Sequence, residues 1–183
     1  MRSAHPLAVE LCTRLAANPK SRILEIGCGR GRNTRALAAA GFEVRPLPDG
    51  APILPSYRNY TAALSTHALL HGTPDTLAVL LAAVRAALCR GGLLYATFGS
   101  ISDARHGRGI ALAPGVFAPS EGAERGVPHS YFDEARLRTL LSPSFAVESL
   151  SEHCVERIAG DWAHPQGHPG AVHWFVIARS RGL

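Results

Sequence analysis

The sequence predicts one α/β domain built on a mostly parallel, Rossmann-like sheet with helices on both faces. Three observations carry this. Short apolar runs alternate with amphipathic stretches along the chain, as β-α-β units require. The run Leu93-Leu94-Tyr95-Ala96-Thr97-Phe98 is apolar almost throughout, as a strand covered on both faces must be. The run Arg22-Ile23-Leu24-Glu25-Ile26 passes at once into Gly27-Cys28-Gly29-Arg30-Gly31 and then into an alanine-rich stretch. That order is a strand, a glycine turn and a helix, the arrangement that turns backbone N–H groups toward a ligand. The 183 residues suffice for one domain with a substantial core, and no repeat or linker divides residues 1–183.

The elements follow in order. Leu7, Leu11 and Leu15 recur at helical spacing within residues 6–18, and Pro19 stops that helix. After the first strand and its glycine turn, Asn33 to Ala40 form a helix closed by Gly41. Phe42-Glu43-Val44-Arg45 starts a second strand, which Pro46 and Pro48 confine to a sheet edge. Residues 49–59 read as loop, and Tyr60-Thr61-Ala62-Ala63-Leu64 as the next strand. Thr73 is placed to cap a helix with Pro74 in its first turn. Leu77, Leu80, Leu81, Val84 and Leu88 supply its buried face, and Gly91-Gly92 ends it before the apolar run at 93–98. Residues 100–130 show no period and read as a lid or acceptor loop over about 101–130. A helix at 133–141 and strands at 145–150 and 172–178 complete the chain.

Composition excludes several classes. With 46% hydrophobic and 18% charged residues the chain is not disordered, and no apolar run has the ~20 residues of a membrane span. Cys12, Cys28, Cys89 and Cys154 have neither knuckle spacing nor a disulfide pattern, so a reducing, cytoplasmic setting is expected. The net charge of +5 rests almost wholly on arginine, Lys20 being the only lysine, in a bacterial-like Ala-, Arg-, Gly- and Pro-rich composition. The densest basic group, Arg30, Arg32 and Arg35, lies inside the glycine motif, so nucleic acid is not the expected partner.

The glycine turn separates the cofactor classes. A dinucleotide fingerprint, G-x-G-x-x-G, needs a small residue where Arg32 stands, and no Gly-Lys-Ser/Thr follows to make a Walker loop. The pattern present is an acid two residues before G-x-G-x-G. Here Leu24-Glu25-Ile26-Gly27-Cys28-Gly29-Arg30-Gly31 resembles the first motif of class I S-adenosylmethionine-dependent methyltransferases. Tyr60 to Thr66 resembles the family's fourth strand, and Leu88-Cys89-Arg90-Gly91-Gly92-Leu93-Leu94 its step into the fifth. Gly29-Arg30-Gly31-Arg32-Asn33-Thr34 further resembles the tellurite-resistance and thiopurine-like branch, which acts on small molecules and ions.

The resemblance implies S-adenosyl-L-methionine as cofactor, with Glu25, Gly27, Cys28, Gly29, Gly31, Asn33, Ser65 and Thr66 around it. The family's ribose-binding acid falls on Pro48, which leaves Asp49, one residue on, as the available carboxylate. Gly50 to Asn59 is shorter than the dozen residues a parallel crossover takes, so the family's third strand is expected to be missing. With it goes the acid that usually contacts adenine, leaving Tyr57, Arg58 and Tyr60 in its place. In the family's labels the sheet should run 2-1-4-5-7-6, with the seventh strand antiparallel and Phe42–Leu47 at an edge. An open edge also offers a place for a second copy to pair, and the oligomeric state stays open.

Methyl transfer is an in-line displacement at a sulfonium, so positioning and exclusion of water can do most of the work and a base is optional. Acceptor-side candidates lie beyond the carboxyl ends of the central strands: His67, Asp103, Arg105, His129 and Tyr131, with Arg125 and Glu124 nearby. A polar or anionic small acceptor is expected. The turns at Ser65–His67 and Asp103–His106 and the segment Arg125–Tyr131 should converge, unless Asp103 and Arg105 pair only to brace the lid. A non-catalytic S-adenosylmethionine-binding or interaction protein with a degenerate second motif is the alternative. His71 reads as a packing residue. No metal site is expected: His164, His168 and His173 are separated by Pro165, Gly167, Pro169 and Gly170, which forbid a regular helix.

Overall fold

The computed structural model describes residues 3–155 and 170–182. Its elements are α1 (Pro6–Leu15), β1 (Arg22–Ile26), α2 (Arg32–Ala39), β2 (Glu43–Leu47), β3 (Tyr60–Ser65), a 3-10 turn (Ala68–Leu70), α3 (Pro74–Ala87), β4 (Leu88–Ser100), β5 (Ile110–Ala113), β6 (Val116–Ala118), β7 (His129–Phe132), α4 (Glu134–Leu141), β8 (Phe145–Cys154) and β9 (Val172–Ser180).

The main sheet runs β2-β1-β3-β4-β9-β8. The pairs β1–β2, β1–β3 and β3–β4 are parallel, and β9 is antiparallel to both β4 and β8. This is the expected order. Among the described residues β2 is an edge, and residues 48–59 run from β2 to β3 with neither helix nor strand.

Period-two alternation divides the core between the two faces. Leu24, Leu94, Ala96, Phe98, Trp174 and Val176 point to the α3 and α4 side, where Leu77, Leu81, Val84, Leu137 and Leu141 meet them. Ile23, Leu93, Tyr95, Phe175 and Ile177 point to the other face, against Leu7 and Leu11 of α1 and Leu37 of α2. Each large apolar side chain so enclosed contributes about 1.5–3 kcal/mol relative to exposure. Both faces are therefore closed, and ligand access is left to the carboxyl ends of the strands.

Two features differ from the expectation. The α3 helix stops at Ala87 rather than at Gly91-Gly92, because Leu88 is already paired with Tyr60 in the sheet. Residues 100–130 are not a bare loop. They hold the β5–β6 hairpin and lead into β7, which pairs antiparallel with β6 and parallel with the end of β4 at Gly99 and Ser100. Since β9 lies against the other side of Gly99, β7 takes the side of β4 that β3 leaves at Ala96. The period was invisible for physical reasons. All four β5 residues are exposed, and the buried β7 is polar, with Ser130 Oγ donating to the Gly72 carbonyl at 2.7 Å. The small sheet β5-β6-β7 thus roofs the turn that follows β3.

Candidate active site

The glycine turn is shaped by contact on one side and open space on the other. Gly27, Gly29 and Gly31 all have positive φ. A Cβ on Gly27 would lie 2.4 Å from the Ala68 Cβ, so the backbone must pass bare beneath the 3-10 turn. A Cβ on Gly29 would meet nothing within 4 Å, so this peptide faces open space at the mouth of the turn. The Gly27 and Cys28 amides both donate to the Leu47 carbonyl at 2.9 Å, which ties the turn to the end of β2.

Below the turn, Glu25 is 1% exposed and accepts a hydrogen bond from Thr34 Oγ1. Burial raises its pKa, against the lowering influence of Thr34, Asn33 and the Arg32 charge. Asn33 is a structural clamp: its Oδ1 accepts from the His5 amide at 2.9 Å and its Nδ2 donates to Thr66 Oγ1 at 3.0 Å. Two of the expected cofactor residues, Asn33 and Thr66, are thus engaged with each other, joining the start of α1, the start of α2 and the end of β3. Ser65 is buried in β3. Asp49 stands past the end of β2 with Oδ2 2.9 Å from His71 Nδ1.

Of the residues expected to replace the missing acid, Tyr60 is excluded. Its side chain is buried in the core, with the Arg22 guanidinium over its ring. Tyr57 is partly buried against the same cluster, and the Arg58 guanidinium donates to the Tyr57 and Ala86 carbonyls.

His67, half-buried at the turn after β3, has φ +79°. Such a backbone is uncommon for a residue with a side chain and concentrates at functional turns. Its amide donates to Thr97 Oγ1 at 2.8 Å, and its ring makes edge contacts with His5 and His173. Burial, reinforced by those histidines and by Arg32 and Arg105, holds its pKa well below the usual histidine value. The ring is therefore neutral at physiological pH and a weak proton acceptor, which suits it to orienting a ligand rather than taking up a proton.

Asp103 is buried and accepts from the Arg105 amide and Nε and from the Val172 amide. Burial works to raise its pKa, but Arg105 and the Val172 amide prevail and hold it low. It is a brace between the turn after β4 and the start of β9. Arg105 meets a second environment. With His129 and Tyr131 it lines a cleft of about 200 Å³, whose other walls include Phe117, Pro119, Arg108 and Glu121. Burial pushes the Tyr131 hydroxyl up to about 12, so it stays protonated and able to donate. Arg125 is exposed and does not line this cleft.

Four side chains meet where sequence reasoning saw none. His71, read as packing, faces Asp49 and lies 3.7 Å from Glu124 Oε1 through its Nε2, while His129 Nε2 lies 3.2 Å from Glu124 Oε2. Hydrogen bonding to Glu124, then to Asp49, raises the His71 pKa against its burial, and the two histidines lower that of Glu124. The four residues come from three segments, with only Glu124 and His129 near each other in sequence, so no local spacing announced the cluster.

No protein-family model matches the chain, and no curated protein matches it in sequence. Solved structures do match in shape. A Burkholderia thailandensis 1,6-didemethyltoxoflavin-N1-methyltransferase, with bound 1,6-didemethyltoxoflavin and S-adenosylhomocysteine, is 21% identical with a TM-score of 0.69, over 97% of this chain and 78% of that one. A Methanosarcina mazei S-adenosylmethionine-dependent methyltransferase is 17% identical at TM-score 0.69, covering 98% and 99%. One from Mesorhizobium loti is 18% identical at TM-score 0.64, covering 94% and 97%. The chain has the fold of these S-adenosylmethionine-dependent methyltransferases.

Proposed function

We propose that this protein transfers a methyl group from S-adenosyl-L-methionine to a small polar or anionic acceptor. The observation that carries the reading is the turn Gly27–Gly31. It lies at the carboxyl ends of β1 and β3, is closed by Ala68 behind Gly27, and is open in front of Gly29. A cofactor with an extended, polar body needs that close backbone approach, and Glu25 supplies a carboxylate beneath the turn to balance a cationic methionyl end. When bound, the cofactor supplies an activated methyl group on a sulfonium.

The chain's own residues do the rest. The neutral His67 ring, the Arg105 guanidinium and the Tyr131 hydroxyl are offered to an acceptor by position and by donor or acceptor character. Arg105 favours an anionic or strongly polar group. Asp103 positions Arg105 and Val172 rather than touching an acceptor. The motif Gly29-Arg30-Gly31-Arg32-Asn33-Thr34 favours the tellurite-resistance and thiopurine-like branch, whose members act on small molecules and ions. One observation favours a second reading, a non-catalytic cofactor-binding or interaction protein: the second motif is degenerate, with Pro48 where the ribose-binding acid falls and Asp49 held by His71.

A melting-temperature screen tests the reading. S-adenosylmethionine and S-adenosylhomocysteine should each stabilise the protein by ~2.7 kcal/mol at a hundredfold excess over Kd, which is ~5–10 °C for a domain of this size, and NAD should not. A rise with NAD alone, or with none of the three, overturns it. Cofactor binding without turnover on any small acceptor supports the second reading.

A further inference from the structure

We propose that His71, Glu124 and His129 form a binding site for one divalent first-row transition ion, with zinc as the reference metal. Among the described residues these three side chains place one ligand atom each within 4.8 Å of one another. Their chemistry is two imidazoles and one carboxylate, a donor set that suits zinc and its neighbours better than magnesium or calcium.

The hydrogen bonds around the histidines fix which nitrogens face the centre. His129 Nδ1 lies 2.9 Å from the Val127 carbonyl, which can only accept, so Nδ1 carries the hydrogen. His71 Nδ1 lies 2.9 Å from the Asp49 carboxylate, which likewise accepts. In each neutral ring the other nitrogen, Nε2, then presents a lone pair, and both lone pairs face the same carboxylate. Lone pairs set against a carboxylate at 3.2 and 3.7 Å repel unless positive charge lies between them. Protons on the two rings, whose centroids are 4.8 Å apart, can supply it in pairs with Glu124 and Asp49, and one metal ion supplies it in their place at the same Nε2 atoms. Ligand bonds of about 2.0–2.1 Å in a tetrahedral site put ligand atoms about 3.3 Å apart, within the range seen here. Histidines oriented through Nδ1 by a carboxylate and a backbone carbonyl are also the usual support of metal-bound imidazoles.

The scaffold is stiff and the site accessible. His71 and His129 form a β-bridge, and the Gly72 amide donates to the Pro128 carbonyl at 2.7 Å. The His129 side chain is 4% exposed, but those of His71 and Glu124 are 25% and 49% exposed, which gives an ion a way in. Three protein ligands leave coordination positions open, and His129 also lines the Arg105–Tyr131 cleft. The site does not depend on the methyl-transfer reading, since its test uses the metal alone.

The test is titration of the metal-stripped full chain with zinc chloride, and with cobalt chloride for its visible absorption bands. Wild type should bind one equivalent with submicromolar Kd. Glu124→Gln and His71→Gln should each weaken binding at least tenfold, and Asp49→Asn about 10–100-fold, with melting temperatures in EDTA close to wild type. His164→Ala/His168→Ala, which removes two histidines of the His-rich segment, should bind as wild type does. The proposal is overturned if wild type takes up neither metal with submicromolar Kd. It is equally overturned if Glu124→Gln and His71→Gln bind as tightly as wild type, or if the His164/His168 variant alone loses the ion.

Discussion

Gly27 and His5 show how much of this molecule is decided by single atoms. Adding a methyl group at Gly27 forces a left-handed backbone on a side chain, at about 1–2 kcal/mol, and drives it into Ala68, at about 1–3 kcal/mol more. Gly27→Ala should therefore lower stability by at least ~2 kcal/mol in urea denaturation; a change under 0.5 kcal/mol would show that the close approach is not needed. His5 begins α1, and its Nδ1 accepts from the Leu7 amide at 3.1 Å, so it works only unprotonated. Burial, with the Arg32 charge and neighbouring histidines, lowers its pKa to about 3. The unfolded chain, with an ordinary histidine value near 6.5, binds that proton first. The stabilisation is thus complete above about pH 6.5 and lost as the pH falls toward 3, with a slope of up to about 1.4 kcal/mol per pH unit. His5→Asn keeps a capping acceptor and removes the titration. Its stability should fall less steeply than wild type between pH 6.5 and 4, and an unchanged slope would refute the assignment. Nothing in the sequence marked His5, because histidine is not among the usual capping residues and its burial comes from distant contacts, with the rings of His67 and Phe175.

At the scale of elements, legibility followed local signals. The α3 helix was readable because its start is written in adjacent residues. Thr73 Oγ1 accepts from the Thr76 amide, Thr76 Oγ1 accepts from the Thr73 amide, and Pro74 sits in the first turn. Thr73→Ala should cost about 1 kcal/mol, or about 2–4 °C in melting temperature, and no loss would mean that tertiary packing alone holds this end. The β5–β7 sheet was not readable. Its strands are short and carry no alternation, and β7 is held by contacts to Gly72, Gly99 and Gly115 that no neighbouring residue encodes. The same sheet brings His129 over His71, which is why the four-residue cluster could not be seen from sequence. Asp103 with Arg105, two residues apart, was legible as a pair, and the structure adds that the pair also holds Val172.

At the scale of the whole molecule, strand order was the most legible property. A connection too short for a crossover, with one proline in β2 and another just past its end, together required an edge there, and the sheet obeys. Among the described residues no helix is long and apolar enough to cross a membrane. The cleft is less legible than the glycine turn, because the turn is one contiguous motif whereas the cleft gathers Arg105, Phe117, His129 and Tyr131 only through the pairing of β5, β6 and β7. The central claim is therefore best tested at the turn itself, by calorimetric titration of S-adenosylhomocysteine into wild type and Gly29→Ala. A Cβ at Gly29 meets no protein atom, so this variant should lose only about 1–2 kcal/mol of stability, from its left-handed backbone. It should nonetheless bind the ligand at least tenfold more weakly than the one-to-one complex expected of wild type. No heat from wild type at millimolar ligand, or equal affinity in the two proteins, would contradict the account.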